Sequence, residues 1–478
     1  MEMEKHMRSI AGIVLVFALS ACAVGPDYKK PDAVVSASYK EDRGWVSTRG
    51  VSRPPQGKWW KIYSDPVLDG LEEKVEKANQ SLLASYYAWQ QAISLTDFAR
   101  AAEFPTVGVG AATSTTSSAS PVYGGGSFTI SGKTVSFSAS WAPDFWGKVR
   151  RQVESDRANA EASLDNLLAS RLSLQSTLAQ DYFQIRQLDM QISLARENVA
   201  AYEKSVVMTR NRYKAGVATR ADVALAESQL AAAKVQAVSF GVQRAQFEHA
   251  IAVLIGVPPA QFGLAAKNGI PQPEPIPAGL PSELLLRRPD VAAAERQMAA
   301  ANAQIGVAES AYFPSLTITG QRGWRSTAFA NLFSSPNLFW SVGPSIAETI
   351  FDAGARSAQL EQSRAAYRQS VAQYRQTGLQ ALQQVEDQMA ALSILSEEDR
   401  LQKDAVEAAE NSYRVSLDQY HAGTIPYLNV ITAQTAWYAS RNSALLIAGQ
   451  RLVADVALIQ ALGGGWEPAT GPDGRKGK

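Results

Sequence analysis

The chain has 478 residues, with 46 Lys and Arg against 45 Asp and Glu, one Cys, three His and 46% hydrophobic residues. This near-neutral balance argues against a basic nucleic-acid binder or an acidic tail, and a lone cysteine excludes a disulfide framework and a Cys-rich zinc site. Charged residues make up 19% of the chain, below the roughly 25% usual for soluble domains.

Lys5 and Arg8 precede an apolar stretch from Ile10 to Leu19, the charged and apolar parts of a secretory signal and too short to stay in a bilayer. Leu19-Ser20-Ala21-Cys22 resembles the bacterial lipobox, which implies lipid on Cys22, and Ala23 after it implies delivery to the outer membrane. A simple signal peptide cut after Ala21, leaving a free thiol, is the plainer alternative.

The remaining chain repeats itself. Phe104-Pro105 recurs as Phe313-Pro314, Asp144-Phe145-Trp146-Gly147 answers to Phe351-Asp352-Ala353-Gly354, and Tyr213-Lys214-Ala215-Gly216 recurs as Tyr420-His421-Ala422-Gly423. The offsets stay close to constant, so the unit is duplicated. The organisation expected is a signal peptide over 1–21, a lipidated segment over 22–64, a first repeat over 65–256, a Pro-rich linker over 257–282, a second repeat over 283–465 and a tail over 466–478.

Helices are predicted near Pro66–Glu103 and Ser282–Tyr312. Between Val107 and Trp141 the pattern turns to period two: Val135, Phe137, Ala139 and Trp141 alternate with serines, and Leu316, Ile318 and Gly320 alternate with Thr317, Thr319 and Gln321. Two strands per repeat give four per chain, with Trp141, Trp146, Trp324 and Trp340 around them. Known membrane barrels start at about eight strands, so several chains must share one. From Lys148 to Ala215 there is neither Gly nor Pro, and apolar residues from Leu178 to Val206 step by three or four, the spacing of a long packed helix. A second run covers Ala355 to Tyr420, with Gly378 its only breaker. Return helices are expected from about Thr219 to Ile255 and Pro426 to Leu462. No run of about 20 apolar residues follows the N-terminus, which argues against a spanning helix in the body.

Signals for catalysis are weak. Gly132-Lys133-Thr134 lacks the spacing of a phosphate-binding loop, Gly108-Val109-Gly110 lacks a third Gly and a following helix, and His249 has no metal-ligand partner at helical spacing. Arg287-Arg288-Pro289-Asp290 reads as a helix start. Neither cofactor nor metal is expected, and the chain is not read as an enzyme.

Lipobox, duplication, long helices and strand pairs together resemble the outer-membrane factor (TolC-like) family, in its NodT/OprM-type lipoprotein branch. Asp65-Pro66-Val67-Leu68, Leu286-Arg287-Arg288-Pro289-Asp290-Val291, Tyr312-Phe313-Pro314 and Ala461-Leu462-Gly463-Gly464-Gly465-Trp466 carry the likeness. It implies a mixed α/β membrane protein: a homotrimer with one shared transmembrane β-barrel, four strands from each chain, continued by a periplasmic α-helical barrel. It also implies a periplasmic adaptor (membrane fusion protein), an inner-membrane resistance–nodulation–division pump, outer-membrane lipid around the strands and no nucleic acid. Such a duct would export drugs or other small molecules passively. A type I secretion duct and an envelope-tethering coiled-coil lipoprotein are the alternatives. The periplasmic tips would hold the gate and the adaptor seat, at Arg212, Tyr213, Gly216, Asp222, Asp418, Tyr420 and Gly423, with Arg212, Asp222, Asp418 and Tyr420 linking the tips shut. Solvated turn residues with left-handed glycines are the plainer alternative.

Overall fold

A computed structural model describes residues 23–32, 38–41, 58–119, 127–269, 271 and 288–464. The signal peptide, Cys22, residues 270 and 272–282 of the Pro-rich linker and the tail over 466–478 lie outside the described residues. Two compact units are present, and each draws on both repeats: 1–32, 88–163 and 293–374 form one, and 33–87, 164–292 and 375–478 the other.

The first unit holds the sheet. Strands β1 (Thr106–Ala119), β2 (Ser127–Trp141), β3 (Ser315–Ser326) and β4 (Leu338–Ala347) run as an antiparallel meander in the order β1-β2-β3-β4. Val109 lies opposite Phe137, Phe137 opposite Arg322, and Arg322 opposite Trp340, so the period-two residues of one repeat share a face with those of the other. Pro344 sits in β4, an edge strand, where its missing N–H costs least. The tryptophans divide between the two ends. Trp146 stacks on Phe313 at 4.7 Å and donates to the Pro314 carbonyl, Trp141 donates to the Glu103 carbonyl, and Trp324 meets Phe333 edge-on at 5.4 Å near the turns.

Helices α1 (Pro66–Ala78) and α2 (Gln80–Ala101) stand where one helix was expected. Asn79 makes the break: its backbone is extended, and its side chain accepts from the Leu82 N–H at 2.9 Å while donating to the Leu254 carbonyl at 2.8 Å. The long helices α3 (Lys148–Lys214) and α6 (Ala355–His421) each run 67 residues, and the returns α4 (Arg220–Leu254) and α7 (Tyr427–Ala461) run 35 each. Asp144 and Asp352 cap the two long helices in the same way, each accepting main-chain N–H groups of the first turn and an Arg side chain. Helix α5 (Pro289–Ser310) opens at the Arg-Pro-Asp motif. Arg288 there pairs with Asp290 at 2.7 Å and donates to the Ala461 carbonyl, tying the start of α5 to the end of α7.

The core of the second unit gathers Trp59, Trp60 and Tyr63 with Leu68, Leu71, Val75, Leu178, Tyr182, Phe183, Ile251, Ile255, Leu452, Val456 and Ile459. Each such large side chain gains about 1.5–3 kcal/mol by burial. Helix α7 is long and apolar enough to cross a membrane by length and composition alone. Its apolar residues instead pack into this core and into a second one around Tyr420. Beside the first core, Asp65 accepts from Tyr182 at 2.6 Å and from Lys267, and Asp189 pairs with Arg186 and Arg244. Burial pushes the Asp65 carboxyl up, but the hydrogen bonds from Tyr182, the Val67 N–H and Lys267 outweigh it and hold the group below the usual carboxylate range.

Candidate functional site

Both long helices end in the same backbone motif, which is why glycine recurs there. After α3, Val217 N–H bonds the Arg212 carbonyl at 2.9 Å and Gly216 N–H the Tyr213 carbonyl at 3.0 Å. After α6, Thr424 N–H bonds the Gln419 carbonyl and Gly423 N–H the Tyr420 carbonyl, both at 3.0 Å. These paired bonds satisfy carbonyls at the helix end and require a left-handed residue, met by Gly216 at φ +76 and Gly423 at φ +77.

The two turns come together through side chains. The Arg212 guanidinium lies 4.5 Å from the centre of the Tyr420 ring, and its Nη1 donates to the Tyr420 carbonyl at 3.3 Å. Tyr420 is buried in an apolar cluster with Val206, Ala226, Tyr427, Val430 and Ile431. Yet Arg212 Nε and the Tyr420 hydroxyl are both buried without a hydrogen-bond partner among the described residues. The link therefore combines cation–π attraction with unmet polar demand. Beside it a groove of about 750 Å³ is lined by Lys204, Val207, Met208, Asn211, Arg212 and His421.

The other expected site residues fall differently. Tyr213 and Asp418 are exposed, and Asp418 makes no side-chain hydrogen bond or ion pair among the described residues. Asp222 belongs to a capping box: it accepts from the Thr219 N–H at 2.9 Å, and its own N–H bonds the Thr219 hydroxyl at 3.1 Å. It does not reach across to the second turn. Sequence reading missed Tyr427 and a neighbouring ladder in which Tyr413 stacks on Trp437 at 5.2 Å, Arg441 covers Trp437, and Arg441 pairs with Glu197. The spacing of Trp437 and Arg441, one helical turn apart on α7, was the available signal.

Cys22 lies outside the described residues, but the chain just after it is fixed within the first unit. Val24 N–H bonds the Trp146 carbonyl, and Arg151 donates to the carbonyls of Val24 and Gly25 and to Asp27. Asn302 donates to the Pro26 carbonyl. A side chain at Gly306 would collide with the Val24 carbonyl at 2.8 Å, so this position needs glycine for close approach. Gly132, Lys133 and Thr134 lie inside β2, opposite Ser114, Thr113 and Ala112.

A family model described as outer membrane efflux protein matches residues 71–257 and 280–464. The chain is 30% identical over 475 residues to the "Probable efflux pump outer membrane protein TtgC" of Pseudomonas putida, covering 98% of this chain and 97% of that one. It is 27% identical over 465 residues to the "Probable outer membrane lipoprotein SilC" of Salmonella typhimurium, with 96% and 98% covered. Among solved structures, the outer-membrane channel OprN superposes with a TM-score of 0.87 at 28% identity, over 93% of this chain and all of that one.

Proposed function

The chain belongs to the outer membrane efflux protein family, and on that premise we propose that it is one subunit of a homotrimeric passive duct whose gate is the pair of helix turns at Gly216 and Gly423. The chain is an outer-membrane efflux channel protein. The observation that carries the shared barrel is the sheet order: β1 and β4 each have a partner on one side only, leaving two open edges. Open edges cannot stand in hydrocarbon, so copies must join edge to edge until the sheet closes. The face bearing Ser136, Ser138, Ser140, Thr317 and Thr319 then lines a wet lumen. Transport follows from this shape, with no bond made or broken on the protein.

The gate reading rests on the Arg212–Tyr420 link, with Asp418 exposed and available to a neighbouring copy and Asp222 stiffening the first turn. A 67-residue helix rises about 100 Å, so the turns are the parts a periplasmic adaptor reaches first, and the groove beside Arg212 and His421 offers it a seat. The inner-membrane partner is a resistance–nodulation–division pump, in keeping with the efflux-pump name of the Pseudomonas relative. Cys22 carries lipid at the foot of the strands, a reading supported by the strap from Val24 to Asp27 and by the lipoprotein name of the Salmonella relative.

Cross-linking of purified protein in detergent should stop at trimer, and that trimer should conduct in a planar bilayer. A monomer with full channel activity would contradict the shared barrel. Cysteines at Ala215 and Ala422 should cross-link to an adaptor in cells while Ala139→Cys stays silent; the reverse pattern would overturn the orientation. Palmitate should label wild type and not Cys22→Ala.

A further inference from the structure

The four strands and the turn between β3 and β4 hold Lys133, Arg322 and Arg325 and not one Asp or Glu, in a chain otherwise close to charge balance. These cations do not share a face. Arg325 lies opposite Thr134 on the hydroxyl-rich side, where its guanidinium sits 5.0 Å from the Phe339 ring. Arg322 is directly opposite Phe137 on β2 and Trp340 on β4, so it shares the apolar face with them, and Lys133 follows two pairs further out on β2. Toward the strand feet that face also carries Val107, Val109, Leu316, Ile318, Val342 and Ile346, the apolar band that faces lipid in a barrel, and beyond Lys133 it turns to Thr115 and Ser131.

Depth narrows the partner. Strands β1 and β3 lead away from helices, so Thr106 and Ser315 mark the periplasmic foot and the turns mark the outer end. Arg322 stands six residues above Leu316, which at about 3.3 Å per residue and a strand tilt near 40° is about 15 Å, beyond the middle of a hydrocarbon band about 25 Å tall. A cation is costliest at the midplane and tolerable toward the surface, and both side chains are long enough to reach outward. Lys133 Nζ lies 4.4 Å from the Phe329 ring and donates to the Thr327 carbonyl, while Trp324, in the same-face row between those of Lys133 and Arg322, meets Phe333 edge-on. Arg322 itself has no ion-pair or hydrogen-bond partner among the described residues. An apolar wall with one cation just above its middle, a second near its outer rim and no acid to answer them is complementary to an amphiphile with acyl chains below and phosphate above.

We propose that Lys133 and Arg322 form a lipid-facing site for a phosphate-bearing lipid of the outer leaflet. The proposal rests on the barrel reading above. The planar guanidinium donates two parallel hydrogen bonds to one phosphate and the ammonium supplies a point charge, while the acyl chains lie along Trp340, Val342 and Ile346. The aromatic rings hold the headgroup level, as interfacial aromatics do.

The test uses the full-length purified protein in phosphatidylcholine vesicles containing graded lipid A, with retained lipid read by native mass spectrometry and channel activity read in the same preparations. Each basic residue near an anionic lipid surface is worth about fivefold in binding. Arg322→Gln and Lys133→Gln should therefore each lower lipid A retention about fivefold and the double variant about 25-fold, and Arg322→Lys should recover part of the loss. All variants should conduct like wild type. Equal retention by wild type and the double variant overturns the proposal, as does full displacement of lipid A by inorganic phosphate, which would make this a free-anion site. If wild type fails to conduct at all, the barrel reading fails instead.

Discussion

The turn after α3 and the turn after α6 descend from one ancestral unit and keep the same two backbone bonds, yet their equivalent tyrosines have opposite fates. Tyr213 is 48% exposed, and Tyr420, at the same place in the motif, is 4% exposed. Duplication preserved the main-chain solution, fixed by a left-handed glycine, and released the side chains to diverge. The first turn is braced locally by the Thr219–Asp222 capping box. The second starts its return helix at Pro426 with no side-chain cap and relies instead on a buried cluster of Tyr420, Tyr427, Val430 and Ile431. One turn is held by hydrogen bonds within itself, and the other by packing and by an Arg from its twin.

The largest expected difference between them is at the tyrosines. Tyr420→Ala should cost about 3–4 kcal/mol, as large-to-small changes of buried aromatics do, while Tyr213→Ala should stay within about 0.5 kcal/mol. Chemical denaturation followed by circular dichroism reads both, and equal losses would erase the asymmetry. The glycines should behave alike, because a side chain at either Gly216 or Gly423 meets open space and only the positive φ is strained. Valine at either position should cost about 1–3 kcal/mol, and unequal costs would show that the two backbones differ in solution.

A pH titration separates the turns from the core around Trp60. Burial pushes the Asp455 carboxyl up to about 6, against a smaller opposing pull from Arg451. An acid raised in the folded state favours folding at low pH, and that contribution is lost as pH rises from about 4 through 6. Asp455→Asn should therefore stabilise the protein at pH 7.5 by about 1–2 kcal/mol and do little at pH 4. Gly216→Ala should shift stability equally at both. The smallest contrast is at the start of the return helices: Asp222→Ala should cost about 1 kcal/mol, and Asn429→Ala, its counterpart without a box, less than about 0.5 kcal/mol.

The ends of the long helices were legible because their punctuation is local. An unbroken run without Gly or Pro closes at Gly216, and a Thr three residues before an acid opens the return. The break at Asn79 was not legible, since its neighbours continue a helical pattern and the reason to stop lies in the Leu254 carbonyl, far along the chain. Strand β4 alternates Trp340, Val342 and Ile346 with Ser341, Gly343 and Ser345 and was expected as a fourth strand, and what the pairing adds is its place at the edge beside β3. At the turns, the sequence reading named residues at the two helix ends but could not assign their partners. Arg212 and Tyr420 meet, whereas Asp222 serves the very box its spacing from Thr219 spells, a reading that its nearness to the expected gate obscured. Tyr427 went unnoticed because burial beside Tyr420 is a tertiary fact.

The claim that closure depends on Arg212 resting on Tyr420 is tested most directly by single-channel conductance of purified protein in planar bilayers. Arg212→Gln and Tyr420→Ala should each raise the resting conductance, and Tyr420→Phe should leave it low, since it removes only a hydroxyl that is already unpaired and keeps the ring face. Resting conductance unchanged in Arg212→Gln and Tyr420→Ala, with the protein folded and inserted as wild type, would contradict the account and move the gate elsewhere.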